Sequence, residues 1–561
     1  MNGRTSPPAQ LTREGWARFR ALLPQSADYR AMRRNPRRDV IAGVTVAFVA
    51  LPLALAFGAA SGLGAGAGIV TAIVAGIVAA VFGGSNLQVS GPTGAMTVVL
   101  LPIVAQFGAS GVLVVGLLAG IILIGLALAG AGRYMRYVPL PVVEGFTVGI
   151  AVIIGLQQIP NALGQQPEGE RIVVSAWNAI TAFVAHPDWA ALAVTAFVAG
   201  SILLALRLRP GLPVSLPAII IVTIAVAVTG ISVTTIGALP HGLPAPAVPA
   251  IPWDHLSALL LPAFAVAALA ALESLLSATV ADAMSVGERH DSNRELFGQG
   301  LANVAVPMFG GVPATAAIAR TAVNVRTGAR SRLAAITQSL ALLVVILVAS
   351  QWVSYIPLAA LAGVLIATVI QMIEVSSLRA LLHSTRGDAV VLIATAAATI
   401  AFDLIAAVLI GLVIAGLYAL NQLSKSARVE EERLDATDHT EAEQALLDEH
   451  VIAYRLDGPL FFGAAHRFLL EVAEVSNVKV VILRLSRVST IDATGASVLG
   501  DTIRALEGRG ITVLLSGIRD EHDSIFTVLG VYNELADSGH VFATTPEAIA
   551  YAKDLLHHPT R

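Results

Sequence analysis

The hydrophobic pattern divides the chain into a long apolar part and a shorter mixed part. From residue 40 to residue 420, apolar runs follow one another with short polar loops between them. From residue 424 to residue 561, apolar and polar positions alternate as they do in a soluble domain. A helix needs about 20 largely apolar residues to span a bilayer. The pattern therefore predicts a polytopic α-helical membrane domain followed by a small domain outside the membrane.

About fourteen apolar runs are candidate spans, and several are short enough to be half-helices or tilted pairs. The runs begin near Val40, Gly68, Pro92, Val112, Val138, Ala191, Pro213, Leu260, Leu296, Ala314, Leu333, Leu358, Val390 and Leu404.

Positive charges between the runs predict the orientation, because Lys and Arg favour the cytoplasmic side of short loops. The segment 229–250 carries neither Lys nor Arg, and the segment 161–188 carries one Arg against three acids. These two segments are therefore expected outside. The alternation predicts an even number of crossings in the plasma membrane, with both termini in the cytoplasm. The basic residues of the inner loops are Arg30, Arg33, Arg34, Arg37, Arg38, Arg133, Arg136, Arg207, Arg209, Arg289, Arg294, Arg326, Arg330, Arg332, Arg379, Arg386, Lys425 and Arg428.

Glycine and proline interrupt the apolar pattern at the third and tenth candidate spans. The first interruption is residues 83–96 (GGSNLQVSGPTGAM), and the second is residues 310–315 (GGVPAT). Matched interruptions in two halves are typical of inverted-repeat transporters. A half-helix that starts within the membrane exposes free N–H groups and the positive end of its dipole, which suits an anion. Two kinked helices packed through glycines are the alternative, but the matched pair favours an anion site in a seven-plus-seven inverted repeat.

Glu273 lies well inside a long apolar helix, and Ser277 follows it by one turn on the same face. A carboxylate there is costly unless it is protonated, paired or facing water, so a functional role is the first hypothesis. Because burial favours the neutral form of a carboxyl group, Glu273 is a candidate proton carrier. The alternatives are a Na⁺ ion held by Glu273 and nearby oxygens, or a neutral Glu273 hydrogen-bonded between helices.

Arg320 follows the second interruption by about two turns. A guanidinium near the start of a half-helix would attract an anion and would resist deprotonation. The alternative is an arginine that extends its charged group to the membrane surface. Gln299 and Asn303 lie one turn apart on the ninth candidate span, and either substrate contact or hydrogen bonding between helices would explain them.

Five stretches resemble the SulP family, the sulfate-permease-type anion transporters with a C-terminal STAS domain. They are residues 39–43, 51–54, 89–93, 273–300 and 309–320. The resemblance implies a core domain that moves against a gate domain in elevator-type alternating access, and a homodimer. It also implies an anion bound between two half-helix starts, with Glu273 and Ser277 coupling a driving ion. The implied substrate-binding residues are Phe57, Ser90, Gly91, Thr93, Gly94, Thr315, Ala316, Ala317 and Arg320.

Two departures from the family pattern bear on coupling and substrate. Pro52-Leu53 stands where many members have Pro-Gln, and Ile318 stands where a threonine would help to bind Na⁺. The second departure favours H⁺ over Na⁺ as the coupling ion. Residues 273–320 look most like bacterial members that import C4-dicarboxylates such as succinate and fumarate. The expected activity is therefore proton-coupled symport of a small anion, with a C4-dicarboxylate favoured. Sodium-coupled bicarbonate or sulfate transport is one alternative, and an uncoupled anion channel is another.

The polar C-terminal part predicts a small α/β STAS domain over residues 450–561. We expect residues 1–38 to form an N-terminal segment, 39–423 the transport domain and 424–449 a charged linker. Alternation predicts an edge strand over 451–456, a central strand over 478–485 and helices near 464–475, 495–508 and 545–556.

Residues 490–495 (TIDATG) resemble the loop of anti-sigma-factor antagonists that carry this domain. Asp492 and Thr494 can cap the helix that follows. Phosphorylation of Thr494 would place a negative charge at the start of that helix, which is an electrostatically sound alternative. We favour capping.

Composition excludes several classes of function. The chain is 56% hydrophobic and 13% charged, whereas a soluble protein of this length has about 25% charged residues. It has no cysteine, so disulfides, thiolate metal sites and thiol catalysis are excluded. No metal cluster, phosphate-binding loop or nucleophile constellation is evident in the sequence, so an enzyme, a metal and a cofactor are not expected. The net charge of −3 says little about a partner, and nothing in the sequence suggests a basic stripe that would bind nucleic acid. The expected partners are a small anion, the coupling ion, membrane lipid and a second copy of the chain.

Overall fold

The computed structural model describes residues 19–166, 171–208, 213–285, 289–402, 404–426, 428–432, 449–461, 478–519, 522 and 535–558. Its contacts divide the chain into two units, Met1–Leu412 and Val413–Arg561, with the boundary inside the helix Leu404–Ser426.

Helices build the first unit, and two very short strands interrupt them. In chain order the elements are α1 (Ser26–Met32), α2 (Pro36–Ala60), α3 (Ala65–Phe82), β1 (Ser90–Gly91), α4 (Gly94–Leu128), α5 (Leu140–Ala162), α6 (Ile172–Ala185), α7 (Trp189–Leu208), α8 (Ser215–Thr229), α9 (Leu256–Met284), α10 (Ser292–Met308), β2 (Thr315–Ala316), α11 (Ile318–Arg326), α12 (Leu333–Val353), α13 (Leu358–Met372), α14 (Val375–Ser384), α15 (Arg386–Ala401) and α16 (Leu404–Ser426). Two 3-10 turns, Ala131–Tyr137 and Trp253–His255, precede α5 and α9.

The polytopic helical fold is confirmed, and each candidate span corresponds to a helix or to half of one. Eight stretches in the described part of the chain are long and apolar enough to cross a membrane. The longest, α4, contains both the third and the fourth candidate spans, because Gly108 breaks it with a φ of 66°. The remaining spans lie in α8, α10, α11, α15 and α16, of which α11 has only 9 residues.

One helix lies where the sequence predicts an external segment. The 14-residue helix α6 occupies residues 172–185, whose apolar run is shorter than the roughly 20 residues that a span requires. Its side chains Val173, Trp177 and Val184 are exposed in the isolated chain. The loop charges place this segment outside, and its position relative to the membrane stays a prediction.

A close crossing of α2 and α3 depends on two glycines. A Cβ on Gly58 would lie 2.6 Å from the backbone N of Gly68, and a Cβ on Gly68 would collide with the carbonyl oxygen of Ala54. Both obstacles are backbone atoms of packed helices, which cannot rotate away. Glycine at both positions therefore allows the two helices to touch directly beside Phe57.

We expect Gly68→Ala to destabilise the transport domain by about 1–3 kcal/mol, the usual cost of adding a methyl group to a tightly packed site. Thermal unfolding of the detergent-solubilised protein would show a lower midpoint. Gly125→Ala on α4 is the matched control, because nothing lies within 4 Å of its Cβ position. Equal midpoints for the two variants would contradict the close crossing.

The N-terminal helix α1 is tied to the helices of the domain through Asp28. Arg294 at the start of α10 donates from Nη2 to Asp28 Oδ2 at 2.6 Å, and Arg332 next to α12 lies 3.5 Å from Asp28 Oδ1. Arg332 also donates to the carbonyl oxygen of Gly83, after α3, at 2.6 Å. Asp28 therefore joins α1 to the ends of three helices.

These contacts make the stability of the domain depend on pH. Burial opposes the ionisation of Asp28, but the hydrogen bonds from Arg294 and the Gln25 backbone and the charges of Arg332 and Arg294 outweigh it. The pKa of Asp28 is therefore below its ordinary value. A carboxyl group with a lowered pKa in the folded state stabilises the fold above its unfolded pKa, and that stabilisation is lost as the pH falls through the folded value.

Asp28→Asn should accordingly lower the unfolding midpoint at pH about 7, and the difference from wild type should shrink below about pH 4. Asp254→Asn, at an exposed position before α9, should leave the midpoint unchanged at both pH values. An effect of Asp28→Asn that is the same at both pH values would show that the ion pairs contribute nothing.

The elements of the second unit are β3 (Arg428–Glu432), β4 (Val451–Leu460), β5 (Val480–Ile491), α17 (Ala493–Glu507), β6 (Thr512–Ser516), β7 (Val541–Phe542) and α18 (Thr545–His557). Its strands form a five-stranded sheet in the order β3-β4-β5-β6-β7. Strands β3 and β4 are antiparallel, and the other neighbouring pairs are parallel. Helix α17 packs on one face of the sheet through Leu499 and Ile503, and α18 packs on the other through Ala548 and Ala552. The predicted small α/β domain is confirmed.

The position of β4 corrects the sequence analysis. We predicted residues 451–456 as an edge strand, but β4 lies between β3 and β5. The edge strand beside β4 is β3, which comes from the segment predicted to be a linker. Its charged sequence, RVEEE, is typical of a strand that protects a sheet edge. The helix predicted near 464–475 falls outside the described residues.

Candidate functional site

The two glycine- and proline-containing interruptions meet in a two-stranded antiparallel ribbon. Ser90 pairs with Ala316, and Gly91 pairs with Thr315. The backbone N–H of Ala317 also donates to the carbonyl oxygen of Val89 at 3.0 Å. The chain enters α4 just after β1 and α11 just after β2. The ribbon thus holds the N-terminal ends of the two helices beside each other.

Glu273 of α9 reaches the start of α4. The hydroxyl of Thr93, the residue before α4, donates to Glu273 Oε2 at 2.9 Å. The Glu273 side chain is half-buried, so the carboxyl group is neither sealed in the protein nor fully solvated. The next residue, Ser274, contacts the other interruption, because its hydroxyl lies 3.1 Å from that of Thr315 and accepts from the Ala316 N–H at 3.2 Å. One helix therefore contacts both interruptions.

Arg320 of α11 reaches across to the first interruption. Its Nη2 donates to the carbonyl oxygen of Pro92 at 2.6 Å, and the side chain has no exposed surface. This burial rules out the alternative of an arginine that extends to the membrane surface. Gly91 makes room for it, since a Cβ there would lie 2.6 Å from Arg320 Nη1. The charge of Arg320 is also close enough to Glu273 for the two to interact.

Two nitrogens of the Arg320 guanidinium, Nε and Nη1, have no partner within the described residues. Buried hydrogen-bond donors in native proteins nearly always have a partner, so two buried nitrogens without one require an explanation. A guanidinium presents its donors in a fixed plane that matches the oxygens of an anion. These donors therefore fit an anion that binds beside the ribbon.

Phe57 closes one side of this cluster. Its ring lies beside Gly94, since a Cβ on Gly94 would be 3.1 Å from Phe57 Cε1 and would also collide with Ile154 of α5. Gly94 is the first residue of α4. An aromatic ring and an aliphatic side chain therefore pack on the first turn of this half-helix.

The structure brings all nine predicted substrate-binding residues and Glu273 into one region, whereas the hydroxyl of Ser277 is bonded to Thr321 and not to Glu273. Ser277 donates to the hydroxyl of Thr321 at 3.0 Å, and Thr321 accepts from the Val89 N–H at 3.1 Å. The role of Ser277 in ion coupling stays a prediction. Sequence reasoning missed Ser274, because helical spacing favours residues one turn apart over immediate neighbours.

The loop before α17 in the second unit has the predicted cap. Asp492 Oδ1 accepts from the Gly495 N–H at 2.7 Å at the start of α17. Thr494 is exposed in the first turn of the same helix. Among the residues that the structure describes, no group of three or more His, Cys, Asp or Glu side chains could hold a metal ion.

A domain of many membrane-spanning helices whose two interrupted helices start beside a buried guanidinium defines a membrane anion transporter. The sequence profile of the sulfate permease family matches residues 37–395, and that of the STAS domain matches residues 444–548. The chain belongs to the sulfate permease (SulP) family and is an anion transporter with a C-terminal STAS domain.

Two bacterial relatives match over most of their length. YvdB of Bacillus subtilis (strain 168), named provisionally as a sulfate transporter, is 35% identical over 514 residues, which cover 89% of this chain and 94% of YvdB. The bicarbonate transporter BicA of Synechocystis sp. (strain ATCC 27184 / PCC 6803 / Kazusa) is 32% identical over 524 residues, which cover 90% of this chain and 92% of BicA.

Two solved structures show the same architecture. The transmembrane domain of a cyanobacterial BicA is 34% identical, with a TM-score of 0.61 over 67% of this chain and 98% of that one. Murine Slc26a9, an anion transporter in its inward-facing state, has a TM-score of 0.82 over 99% of this chain and 96% of that one. Its sequence identity is 16%, so this second likeness concerns the fold alone.

Proposed function

We propose that the chain is a secondary active transporter that carries a small anion together with a proton by elevator-type alternating access. In this proposal the anion binds between the starts of α4 and α11, and Glu273 carries the proton. The observation that supports it best is the hydrogen bond from Thr93 to Glu273 at 2.9 Å. It links the candidate proton carrier to the residue that begins one half-helix.

The link provides a physical reason for coupling. An ionised Glu273 places a negative charge beside the anion site and occupies the hydroxyl donor of Thr93. Protonation removes that charge, so the anion binds better when the proton is present. By linkage, the bound anion raises the affinity of Glu273 for the proton by the same factor.

The surroundings of Glu273 favour a proton over Na⁺. Na⁺ sites in transporters of this type use unwound backbone carbonyls and helix ends as oxygen ligands. Here the fixed charge of Arg320 is close enough to act on Glu273 and would repel a second cation. Ile318, at the first position of α11, has no oxygen in its side chain. These features support proton coupling and weaken the sodium alternative.

The names of the relatives favour bicarbonate and sulfate as the first anions to test. YvdB and BicA carry names that refer to sulfate and to bicarbonate. None of the relatives described above is named for a dicarboxylate, so transport of a C4-dicarboxylate stays a prediction from the resemblance of residues 273–320. All three anions share negatively charged oxygens, which the N–H groups of Arg320 and the half-helix starts can bind.

Uptake into proteoliposomes tests the proposal. Labelled bicarbonate, sulfate and succinate would be offered separately, each under an inward proton gradient, an inward sodium gradient or no gradient. Accumulation of one anion above its external level, driven by protons alone, would support proton symport. Accumulation driven by sodium alone would transfer the coupling role to Na⁺. Flux that only equilibrates the anion would identify a channel or a uniporter.

We further propose a homodimer in the plasma membrane with both termini in the cytoplasm. The family resemblance supports the dimer, and the loop charges support the orientation. Light scattering of the solubilised protein should give twice the mass of one 57.9 kDa chain. Protease digestion of sealed, oriented vesicles should remove residues 424–561 only when it acts from the cytoplasmic face. A monomeric mass or cleavage from the opposite face would refute the respective part.

For the STAS loop we propose that Asp492 acts as a helix cap and that Thr494 is not needed for transport. Asp492→Ala should destabilise the STAS domain by about 1 kcal/mol, the usual cost of losing an N-cap. Thr494→Val should change neither the unfolding midpoint nor uptake. If Thr494→Glu, which imitates a phosphate charge, alters the uptake rate while Thr494→Val does not, regulation by phosphorylation replaces this reading.

A further inference from the structure

Helix α10 carries three polar side chains in a line within the transport domain. Glu295, Gln299 and Asn303 are spaced four residues apart, which places them on one face of the helix. Their exposed surfaces are 2%, 0% and 0%. We call these three side chains the polar row. Hydrogen bonding between helices in general would explain them, but their actual partners are more specific.

Gln299 contacts the first strand of the ribbon. Its Nε2 donates to Ser90 Oγ at 2.7 Å and to Glu295 Oε1 at 3.0 Å. Ser90 is one of the two residues of β1. The side chain of Gln299 thus links β1 directly to α10, at the residue that pairs with Ala316.

Asn303 holds the residue before the second strand at two points. Its Oδ1 accepts from the Ala314 N–H at 2.8 Å, and its Nδ2 donates to the Ala314 carbonyl oxygen at 2.8 Å. The same Nδ2 donates to the Gln299 carbonyl oxygen at 2.9 Å. The amide group therefore acts toward Ala314 as a neighbouring strand would, and it fixes the chain just before β2.

Glu295 holds the turn that leads into the first interruption. Its Oε2 accepts from the N–H groups of Gly84 and Ser85 at 2.9 and 3.2 Å. The helix also lies directly against this turn, since a Cβ on Gly298 would collide with the backbone of Gly83. The polar row thus contacts the chain before β1, β1 itself and the chain before β2.

The ribbon needs such support for a physical reason. Each of its strands has only two residues, and even a full isolated hairpin is only marginally stable. Non-helical backbone at membrane depth must also have its polar groups satisfied by the protein or by a water-filled cavity. Side chains on a continuous neighbouring helix meet both needs, because α10 supplies fixed donors and acceptors.

We propose that Gln299 and Asn303, with Glu295, are positioning residues that set the spacing of the two half-helix starts and therefore the affinity for the anion. They act through Ser90 and Ala314 and do not touch the anion themselves. This inference rests on the proposed anion site between α4 and α11, and it adds that α10 determines the geometry of that site.

The test uses near-isosteric substitutions that remove hydrogen bonds. Gln299→Met loses the hydrogen bond to Ser90, and Asn303→Leu loses both hydrogen bonds to Ala314. The matched control is Gln338→Met on α12. Gln338 is also fully buried, but its Oε1 accepts from the hydroxyl of the neighbouring Ser339 at 3.5 Å and not from a residue of the ribbon. The full-length protein would be reconstituted in each case, and the three labelled anions of the uptake assay would serve as probes.

Each row variant should raise KM for the transported anion about 5- to 10-fold, because the hydrogen bonds that set the position of one half-helix start are lost. The maximal rate should match that of Gln338→Met, and the unfolding midpoint should fall modestly because buried polar groups lose their partners. Hydrogen exchange should be faster in peptides that contain residues 88–93 for Gln299→Met, and in peptides that contain residues 313–318 for Asn303→Leu. A merely structural role would lower the midpoint and leave KM unchanged.

Two results would overturn the inference. The first is a KM equal to that of the control variant with unchanged exchange in both peptides. The second is a loss of stability without any change in KM. If the wild type transports none of the three anions, the proposed function fails for these anions. The exchange measurements still decide whether the polar row holds the ribbon, because they need no substrate.

Discussion

Glu273→Gln is expected to abolish proton-driven accumulation of the anion and to leave anion exchange across the membrane intact. Glutamine keeps the size of glutamate and an acceptor oxygen for the Thr93 hydroxyl, which now donates to Glu273 at 2.9 Å. The local structure should therefore persist. Glutamine cannot bind and release a proton as a carboxyl group does, so the anion would move without its coupling ion. Accumulation should fall to the equilibrium level.

The measurement is uptake into proteoliposomes at several external pH values. Wild-type uptake should rise as the external pH falls, and uptake by Glu273→Gln should not depend on pH. Glu374→Gln, at an exposed position before α14, is the matched control and should behave as wild type does. If Glu273→Gln still concentrates the anion in response to a proton gradient, another group carries the proton and Glu273 has a structural role.

Arg320→Met should weaken anion binding more than any other single substitution at the site. The variant removes a fixed positive charge and the two buried nitrogens that have no partner among the described residues. Hydrogen bonds to charged groups contribute about 1.5–3 kcal/mol each, and each 1.4 kcal/mol is about a factor of ten in affinity. We therefore expect KM to rise about 100-fold. The Pro92 carbonyl oxygen would also lose its donor at 2.6 Å.

Two further variants separate the charge from the geometry. Arg320→Lys keeps a positive charge but lacks the planar set of donors, so its KM should lie between those of wild type and Arg320→Met. Arg326→Met, at an exposed position on the last turn of the same helix, should leave KM unchanged. An Arg320→Met variant with normal KM would mean that the anion binds elsewhere and that the guanidinium only braces the interruption at Pro92.

The arrangement explains how one small region can bind an anion and respond to protons. The half-helix starts and Arg320 supply positive potential, and Glu273 supplies a negative charge that a proton can cancel. Thr93 belongs to both parts, because it precedes α4 and donates to Glu273. Ser274 connects the same helix to β2. A displacement of α9 would therefore be felt at both half-helix starts.

The spans could be predicted from the sequence because each membrane helix must satisfy its own backbone hydrogen bonds within one apolar run. This local requirement also exposed the two interruptions, since glycine and proline stand out in such runs. The helix α6 was not among the predicted elements, because its 14 residues are too few for a membrane span. Strand β3 of the second unit was not predicted either, because its strand character depends on pairing with β4 and is not evident in the charged sequence RVEEE.

By itself, the sequence determined that this chain is a polytopic membrane protein with a small α/β domain, and that Glu273 and Arg320 are ionisable residues within its apolar runs. Hydrophobicity and the cost of a charge in the membrane act residue by residue, so they can be read from the order of the amino acids. Only the tertiary structure decided which side chains meet. It joined Ser274, not Ser277, to the second interruption, and it gave Gln299 and Asn303 their partners on the ribbon. Such hydrogen bonds require that segments far apart in the chain be placed to within a few tenths of an ångström, and no local pattern specifies that placement.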